Sequence, residues 1–325
     1  MILFIGIPSE SPLALAIESA ERQGAPYVVL NQRRAMFCEI ALGVGANGPE
    51  GQLWLDGKLW PLEAFSGIYA RMMDPHTLPE SRPRGGLMPD TRALIRQAFK
   101  HEVLNDWLEI APGRVINRPV AMASNVSKPY QAQLIMQCGF ATPPTLITND
   151  PELVRGFHAR YGRLVYKSVS SVRSIVKELR IGVDDLERIR PLPTQFQAFI
   201  PGHNIRVHVV GEAVFATLVE SDAIDYRYGG REGLETELKP EILPADIAQR
   251  CVALTAALGL AFAGIDLKRT PDGEWYCFEV NTSPGYSYFE EAAGQDISGA
   301  LVRHLVDGAH VHHGVGDGAD YRKSS

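Results

Sequence analysis

Residues 2–7 (ILFIGI) run without a polar position, the pattern of a strand buried on both faces. From Ser11 to Gln23 the apolar positions take helical spacing, with Ser11 as the expected N-cap, Pro12 in the first turn and Gly24 as the stop. Tyr27 to Leu30 reads as a second strand. Strand, helix and strand in close succession predict a βαβ unit on a parallel sheet. Gly6 stands alone without the G-x-G-x-x-G spacing, so this unit carries no dinucleotide fingerprint. The proline- and glycine-rich stretch 74–90 reads as a loop, followed by a helix over 91–109 and a short strand from Arg114 to Asn117.

Beyond that strand the periods alternate. Helices are expected at 127–138, 151–161 (with Asp150 as N-cap) and 244–258. Strands are expected at 145–148, 163–169, 195–200, 205–210 and 213–220, the last two joined by a tight turn at Gly211-Glu212, and a final hairpin at 262–281. This pattern divides the chain into an N-terminal α/β domain (1–114), two further α+β units (115–194 and 195–307) and a flexible tail (308–325) rich in His, Gly and Asp. His310, His312 and His313 lie in that tail and make a weak metal candidate.

Composition narrows the function classes. With 32 Lys and Arg against 38 Asp and Glu, the 325-residue chain carries a net charge of −6 and no basic cluster, which argues against nucleic acid as its partner. Cys38, Cys138, Cys251 and Cys277 form no CxxC pair, which fits a reducing cytoplasm better than a disulfide framework or a structural zinc site. No signal-peptide pattern or membrane-length apolar run is present, so a cytoplasmic protein without membrane attachment is expected.

Three stretches carry candidate chemistry. In the 262–281 hairpin, Thr270-Pro271-Asp272-Gly273 is a turn sequence. With Arg269 set opposite Glu274, Ile265, Leu267, Tyr276, Phe278 and Val280 share the core face. Asp266, Cys277, Glu279 and Asn281 share the other, with Asp266 diagonal to Glu279. Two carboxylates and an amide oxygen on one patch suit magnesium, which combines few protein oxygens with phosphates and water; an exposed polar strand face is the alternative. The second stretch, Gln195 to Phe215, places Arg206 on a strand, where its planar fork could clamp an anion or pair with a surface carboxylate. The third is a pair of lysines. Lys128 opens a helix, and Lys167 ends an apolar strand before a loop of small residues, a reasonable phosphate cradle.

In this order, these residues resemble the ATP-grasp superfamily over roughly 115–307, most closely the RimK-like ligases and the ATP-grasp ligases that macrocyclise ribosomal peptides (the graspetide type). The resemblance implies an N-terminal parallel-sheet α/β domain followed by a two-subdomain α+β ATP-grasp fold. It implies that Lys128 and Lys167 hold ATP phosphates and that Ser170 and Ser171 belong to the phosphate loop. Gln197, Ala198, Phe199 and Ile200 would form the hinge whose backbone reads adenine, with Ile200 donating its amide, and Asn204 would stand at the ribose contact. Arg206 would face the transferred phosphate, and Asp266, Glu279 and Asn281 would hold magnesium, two ions being expected and manganese an alternative. Asp225-Tyr226-Arg227 resembles a substrate-side motif of the peptide-ligase branch, which makes Arg227 a candidate for carboxylate recognition.

The departures are informative. The phosphate loop is rich in serine rather than glycine, Asn204 replaces the usual acid, and Gly264 stands where the D-alanine ligase branch has arginine. The implied reaction joins a carboxylate to an amine or another nucleophile through an acyl phosphate. The substrate class is a small molecule, an amino acid or a peptide with a free carboxylate, and homo-oligomer formation is left open. A small-molecule kinase and a non-catalytic nucleotide-binding regulator on the same fold are the alternatives.

Overall fold

The computed structural model describes residues 1–46, 48–78, 81, 91–169, 176–182, 184–221 and 236–307. The chain begins with Ile2–Gly6 (β1), Ser11–Arg22 (α1) and Tyr27–Asn31 (β2). It continues through Glu39–Gly45 (β3), Gly48–Leu55 (β4), Lys58–Pro61 (β5), Gly67–Arg71 (β6), Thr91–Ile110 (α2) and Arg114–Ile116 (β7). A parallel sheet of order β2-β1-β6-β7 forms, as the βαβ pattern requires.

β1 is buried along its whole length because both its faces are covered. Leu3 and Ile5 pack with Ile68, Trp107 and Leu108 on one side. Ile2 and Phe4 pack with Leu13, Ala16 and Tyr69 on the other, a period-two division of one apolar run. Each such side chain contributes about 1.5–3 kcal/mol of burial. Ser11 is the first helical residue and not the cap. Glu10 holds the cap position without a side-chain cap bond, since its carboxylate is engaged by Arg71.

Pro119–Met122 (α3) and Lys128–Gln137 (α4) lead into a second sheet. Its elements are Thr145–Thr148 (β8), Pro151–Tyr161 (α5), Leu164–Ser168 (β9), Lys177–Leu179 (β10) and Thr194–Ala198 (β11). The strands are antiparallel in the order β10-β9-β11-β8. Asp150 caps α5 as expected, accepting from the Glu152 amide at 2.9 Å. Leu164 and Phe196 turn inward against Val154, Leu179 and Leu186. By alternation, Val165 and Lys167 on β9 and Gln195 and Gln197 on β11 turn to the opposite face.

The third sheet comprises His203–Val210 (β12), Ala213–Ser221 (β13), Thr236–Glu241 (β14), Phe262–Arg269 (β15) and Trp275–Asn281 (β16), with Ala245–Ala257 (α6) between β14 and β15. All its pairings are antiparallel, in the order β14-β13-β12-β15-β16. Ile205, Val207, Ile265, Leu267 and Val280 bury one face against Ile247, Cys251 and Leu254 of α6. Ser287–Ala293 (α7) and Ile297–Asp307 (α8) close the described chain. α8 returns to the first sheet, where Leu301 and Leu305 join Ile2, Phe4 and Tyr69.

The hairpin corrects the expected register. Arg269 faces Trp275, not Glu274, and a β-bulge shifts the pairing between Asp266 and Leu267. Phe278 is the extra residue, because Asp266 pairs with Glu279 and Leu267 with Cys277. Asp266 and Glu279 are therefore directly opposite rather than diagonal. The one-residue shift beside the turn changes the faces of Tyr276 and Cys277, and the bulge at Phe278 returns Glu279 and Asn281 to the expected face; Tyr276 stands opposite Lys268 rather than in the core. Cys277 is fully buried in the α6 core, and Phe278 lines the cleft between the second and third sheets. Burial pushes the Cys277 thiol well above its ordinary range, so it belongs to the packing and not to the polar patch.

Candidate active site

Alternation along β12, β15 and β16 builds a grid on the face turned away from α6. One row holds Asn204, Lys268 and Tyr276, the next Arg206, Asp266 and Glu279, and a third His208, Gly264 and Asn281. Successive rows stand roughly 7 Å apart, two residues of strand rise. The three expected metal ligands thus occupy two neighbouring rows, with Arg206 beside them.

Their charges compensate one another. Arg206 is 6% exposed and donates from Nη1 to Asp266 Oδ1 at 2.7 Å. Gly264 makes this geometry accessible, because a Cβ there would fall 2.1 Å from Arg206 Nη2 and 2.6 Å from Pro284 Cβ. Lys128 Nζ lies 3.1 Å and Lys167 Nζ 4.0 Å from Glu279 Oε2. Asn281 Oδ1 accepts from the Ser283 amide at 3.0 Å. His208, on the next row, is completely buried between Phe262 and Phe289 and accepts from Arg206 Nε at 3.5 Å. Burial first and Arg206 second hold it well below the usual imidazole range.

Lys128 is aimed by its own helix. One turn further along α4, the buried Gln131 side chain donates to the Val280 carbonyl at 2.8 Å and accepts from the Val280 amide at 2.9 Å. Residues three apart share a helix face, so the bond that pins Gln131 to β16 sets Lys128 over Glu279.

A cleft of about 830 Å³ opens between the second and third sheets, lined by Val165, Lys167, Gln197, Ile200, Asn204, Asp266, Lys268, Phe278 and Glu279 among others. At its outer end the Ala198 amide bonds to the Pro144 carbonyl at 3.0 Å and the Phe199 amide to the Arg163 carbonyl at 2.9 Å. The Ile200 amide bonds to no acceptor among the described residues, which leaves it a donor for a ligand in the cleft. Lys268 Nζ donates to the Ile200 carbonyl at 3.0 Å, and burial followed by Arg163 lowers its pKa. The inner end carries the lysine–carboxylate cluster. A donor-edged apolar slot leading to clustered cations and carboxylates suits a nucleotide with a divalent cation on its phosphates.

Of the residues singled out in the sequence, Lys128, Lys167, Gln197, Ala198, Phe199, Ile200, Asn204, Arg206, Asp266, Glu279 and Asn281 converge on this cleft and its inner wall. Ser170, Ser171, Asp225, Tyr226 and Arg227 lie outside the described residues, as do the 222–235 stretch and the tail with its histidines. The sequence reading missed three groups. Lys268 was legible, since it alternates with Asp266 on one strand. Gln131 looked like any polar helix residue. Arg71, at the end of β6, had no local signature. It binds Glu10 through Nε and Nη2 (2.9 and 2.6 Å) and donates from Nη1 to the Pro284 carbonyl at 3.0 Å, tying the first sheet to the loop after Asn281.

Known proteins share this fold. The ATP-grasp ligase PsnB, solved with a minimal precursor, magnesium and ADP, is 27% identical, with 94% of this chain and 96% of that one covered at a TM-score of 0.75. The macrocyclase MdnC from Microcystis aeruginosa, solved with its precursor peptide MdnA, shares the fold at 23% identity and a TM-score of 0.76, covering 94% of this chain and all of that one. A probable alpha-L-glutamate ligase of Azotobacter vinelandii is 25% identical over 319 residues, 92% of each chain. The model of the RimK-like ATP-grasp domain matches residues 128–305, more than half of the sequence and all of the grid and cleft. The chain therefore belongs to the RimK-like ATP-grasp family.

Proposed function

We propose that this protein is a ligase that uses ATP and magnesium to activate a carboxylate as an acyl phosphate and joins it to an amine or another nucleophile. The observation that carries the reading is the row of Arg206, Asp266 and Glu279 at the inner end of the cleft, with Lys128 and Lys167 against Glu279. The donor set fits magnesium: two carboxylates and one amide oxygen are hard ligands, with no sulfur or imidazole among them. Bound there, magnesium would neutralise phosphate charge. Manganese would suit the same oxygens.

In this reading the Ile200 amide binds adenine beside the Gln197 to Phe199 hinge, and Lys128 and Lys167 bind phosphate oxygens. The Ser170–Ser171 loop covers those phosphates, and Arg206 stabilises the charge that gathers on the transferred phosphoryl group. The substrate carboxylate oxygen attacks the γ-phosphorus and ADP leaves. The nucleophile then attacks the acyl carbon, and inorganic phosphate departs. Orientation and charge stabilisation do most of the work, with no covalent bond to the protein.

PsnB with its precursor and the glutamate ligase of Azotobacter vinelandii support an amino acid or a peptide as substrate class. Arg227 is our candidate for recognising its carboxylate. Functionally we divide the chain into 1–114 for substrate approach, 115–194 for the phosphate side and 195–307 for hinge and metal, with 308–325 as a tail. Among the described residues no helix is long and apolar enough to cross a membrane.

The test is ADP release with magnesium and a panel of amino acids and glutamate-containing peptides, with and without hydroxylamine. Acceptor-dependent ADP formation together with a trapped hydroxamate is expected. ADP release with a stable phosphate ester as product would replace the ligase by a kinase, and nucleotide binding without any turnover would leave a regulator.

A further inference from the structure

The row of Asn204 and Lys268 has no part in the metal or phosphate chemistry, yet it lines the same cleft. It lies two residues of strand from Asp266, on the side toward the hinge. The three parts of a nucleotide follow one another covalently. With the base at the Ile200 amide and the phosphates at Lys128 and Lys167, the sugar must pass the strand segment between Asp266 and Lys268.

The chemistry at that level is one-sided. Lys268 Nζ sits 3.0 Å from the Ile200 carbonyl, 5.3 Å from the Phe199 ring centroid and 5.7 Å from that of Phe278. An ammonium carries three donors, and the Ile200 carbonyl takes one of them. The described residues lining the cleft include two carboxylates, Asp266 and Glu279, and both stand in the row beyond. Beside the sugar the cleft therefore offers the Asn204 amide and a lysine, and no carboxylate among its described residues.

We infer that Lys268 recognises the ribose of the bound nucleotide by donating hydrogen bonds to its hydroxyl oxygens, so that the sugar is read as an acceptor. The inference rests on the cleft being the nucleotide site. Lys268 then has two linked tasks, since the ammonium that reads the sugar also fixes the Ile200 carbonyl at the hinge. Removing the amine while keeping the stem's bulk separates them.

The experiment is calorimetric titration of the full chain with the magnesium complexes of ATP, 2′-deoxyATP and 3′-deoxyATP, for the wild type, Lys268→Met and Lys268→Gln. The wild type should bind at least one deoxy analogue roughly tenfold or more weakly than ATP, the effect of a charge-assisted hydrogen bond. In Lys268→Met that ratio should fall to near one, with Lys268→Gln between. Equal loss of affinity for all three nucleotides in Lys268→Met would overturn the inference, leaving Lys268 as a hinge fastener only. A wild type that binds ATP and both analogues equally would overturn it without any variant. A wild type that binds none of them would remove the nucleotide site itself, a result distinct from the other two.

Discussion

Lys128 Nζ lies 3.1 Å from Glu279 Oε2, so a lysine expected to hold phosphate is paired with a carboxylate expected to hold metal. Arg206 and Asp266 repeat the arrangement at 2.7 Å. The cations and anions of the site pair with one another. Magnesium alone would have to displace the cations from the carboxylates, and ATP alone would have to draw the cations away and leave the carboxylates facing phosphate. Supplied together, phosphate takes the cations and metal takes the carboxylates.

We therefore expect magnesium and ATP to bind interdependently. Calorimetry should show weak uptake of magnesium alone, and ATP affinity at least roughly tenfold higher with magnesium than with EDTA, about 1.4 kcal/mol or more. ATP affinity indifferent to EDTA would sink the metal assignment.

Glu279→Gln should separate stability from activity. The residue is one-fifth exposed in its pair with Lys128, and losing that charge should cost the protein about 1–3 kcal/mol, leaving it folded. Acceptor-dependent ADP formation should fall by several powers of ten, each worth about 1.4 kcal/mol of transition-state stabilisation. Full activity in this variant would remove most of the case for catalysis.

Gly264→Ala tests the seat of Arg206. The added Cβ would meet Arg206 Nη2 at 2.1 Å and Pro284 Cβ at 2.6 Å, so the guanidinium must move off Asp266. Overpacking should cost about 1–3 kcal/mol in urea unfolding. Displacing a charge-stabilising donor should lower kcat by roughly tenfold to a thousandfold, with KM for ATP changing less. An unaltered kcat would show that Arg206 need not sit where Gly264 lets it.

His208 should contribute a pH-dependent term. Its folded pKa is depressed, while the unfolded chain titrates near its ordinary value of about 6.5. Below about 6.5 the unfolded chain takes up a proton that buried His208 refuses, so stability falls as pH drops and is fully present above that value. Between pH 7.5 and pH 5, the wild type should lose more melting temperature than His208→Gln. Parallel pH profiles for the two proteins would rule the effect out.

Much of the site was legible because period-two alternation and a turn sequence fix which residues of a hairpin share a face. Asp266, Glu279 and Asn281 were found that way. The same reasoning put Cys277 in the site and Tyr276 and Phe278 in the core, because the pairing beside the turn is shifted by one residue and a bulge with no signature of its own shifts it back before Glu279. The antiparallel meander of β3, β4 and β5 escaped notice for a different reason. Its strands are interrupted by Gly43, Gly45, Gly48 and Gly51 and expose Val44 and Trp54, so no apolar period marks them. Arg71 and Gln131 act through partners 213 and 149 residues away, distances that no local pattern encodes.

The seam between α4 and β16 has a consequence outside catalysis. β16 is the last strand of its sheet, and an open strand edge is a template on which another chain can add. Gln131 occupies both backbone groups of Val280, and the Ala141 carbonyl takes the Cys277 amide at 2.8 Å. The side chain that aims a lysine at the reaction thus also denies neighbouring chains a place to pair. Gln131→Leu would leave that edge bare during folding as well as in the finished molecule, and its first visible effect in a cell should be insoluble protein rather than a slow enzyme.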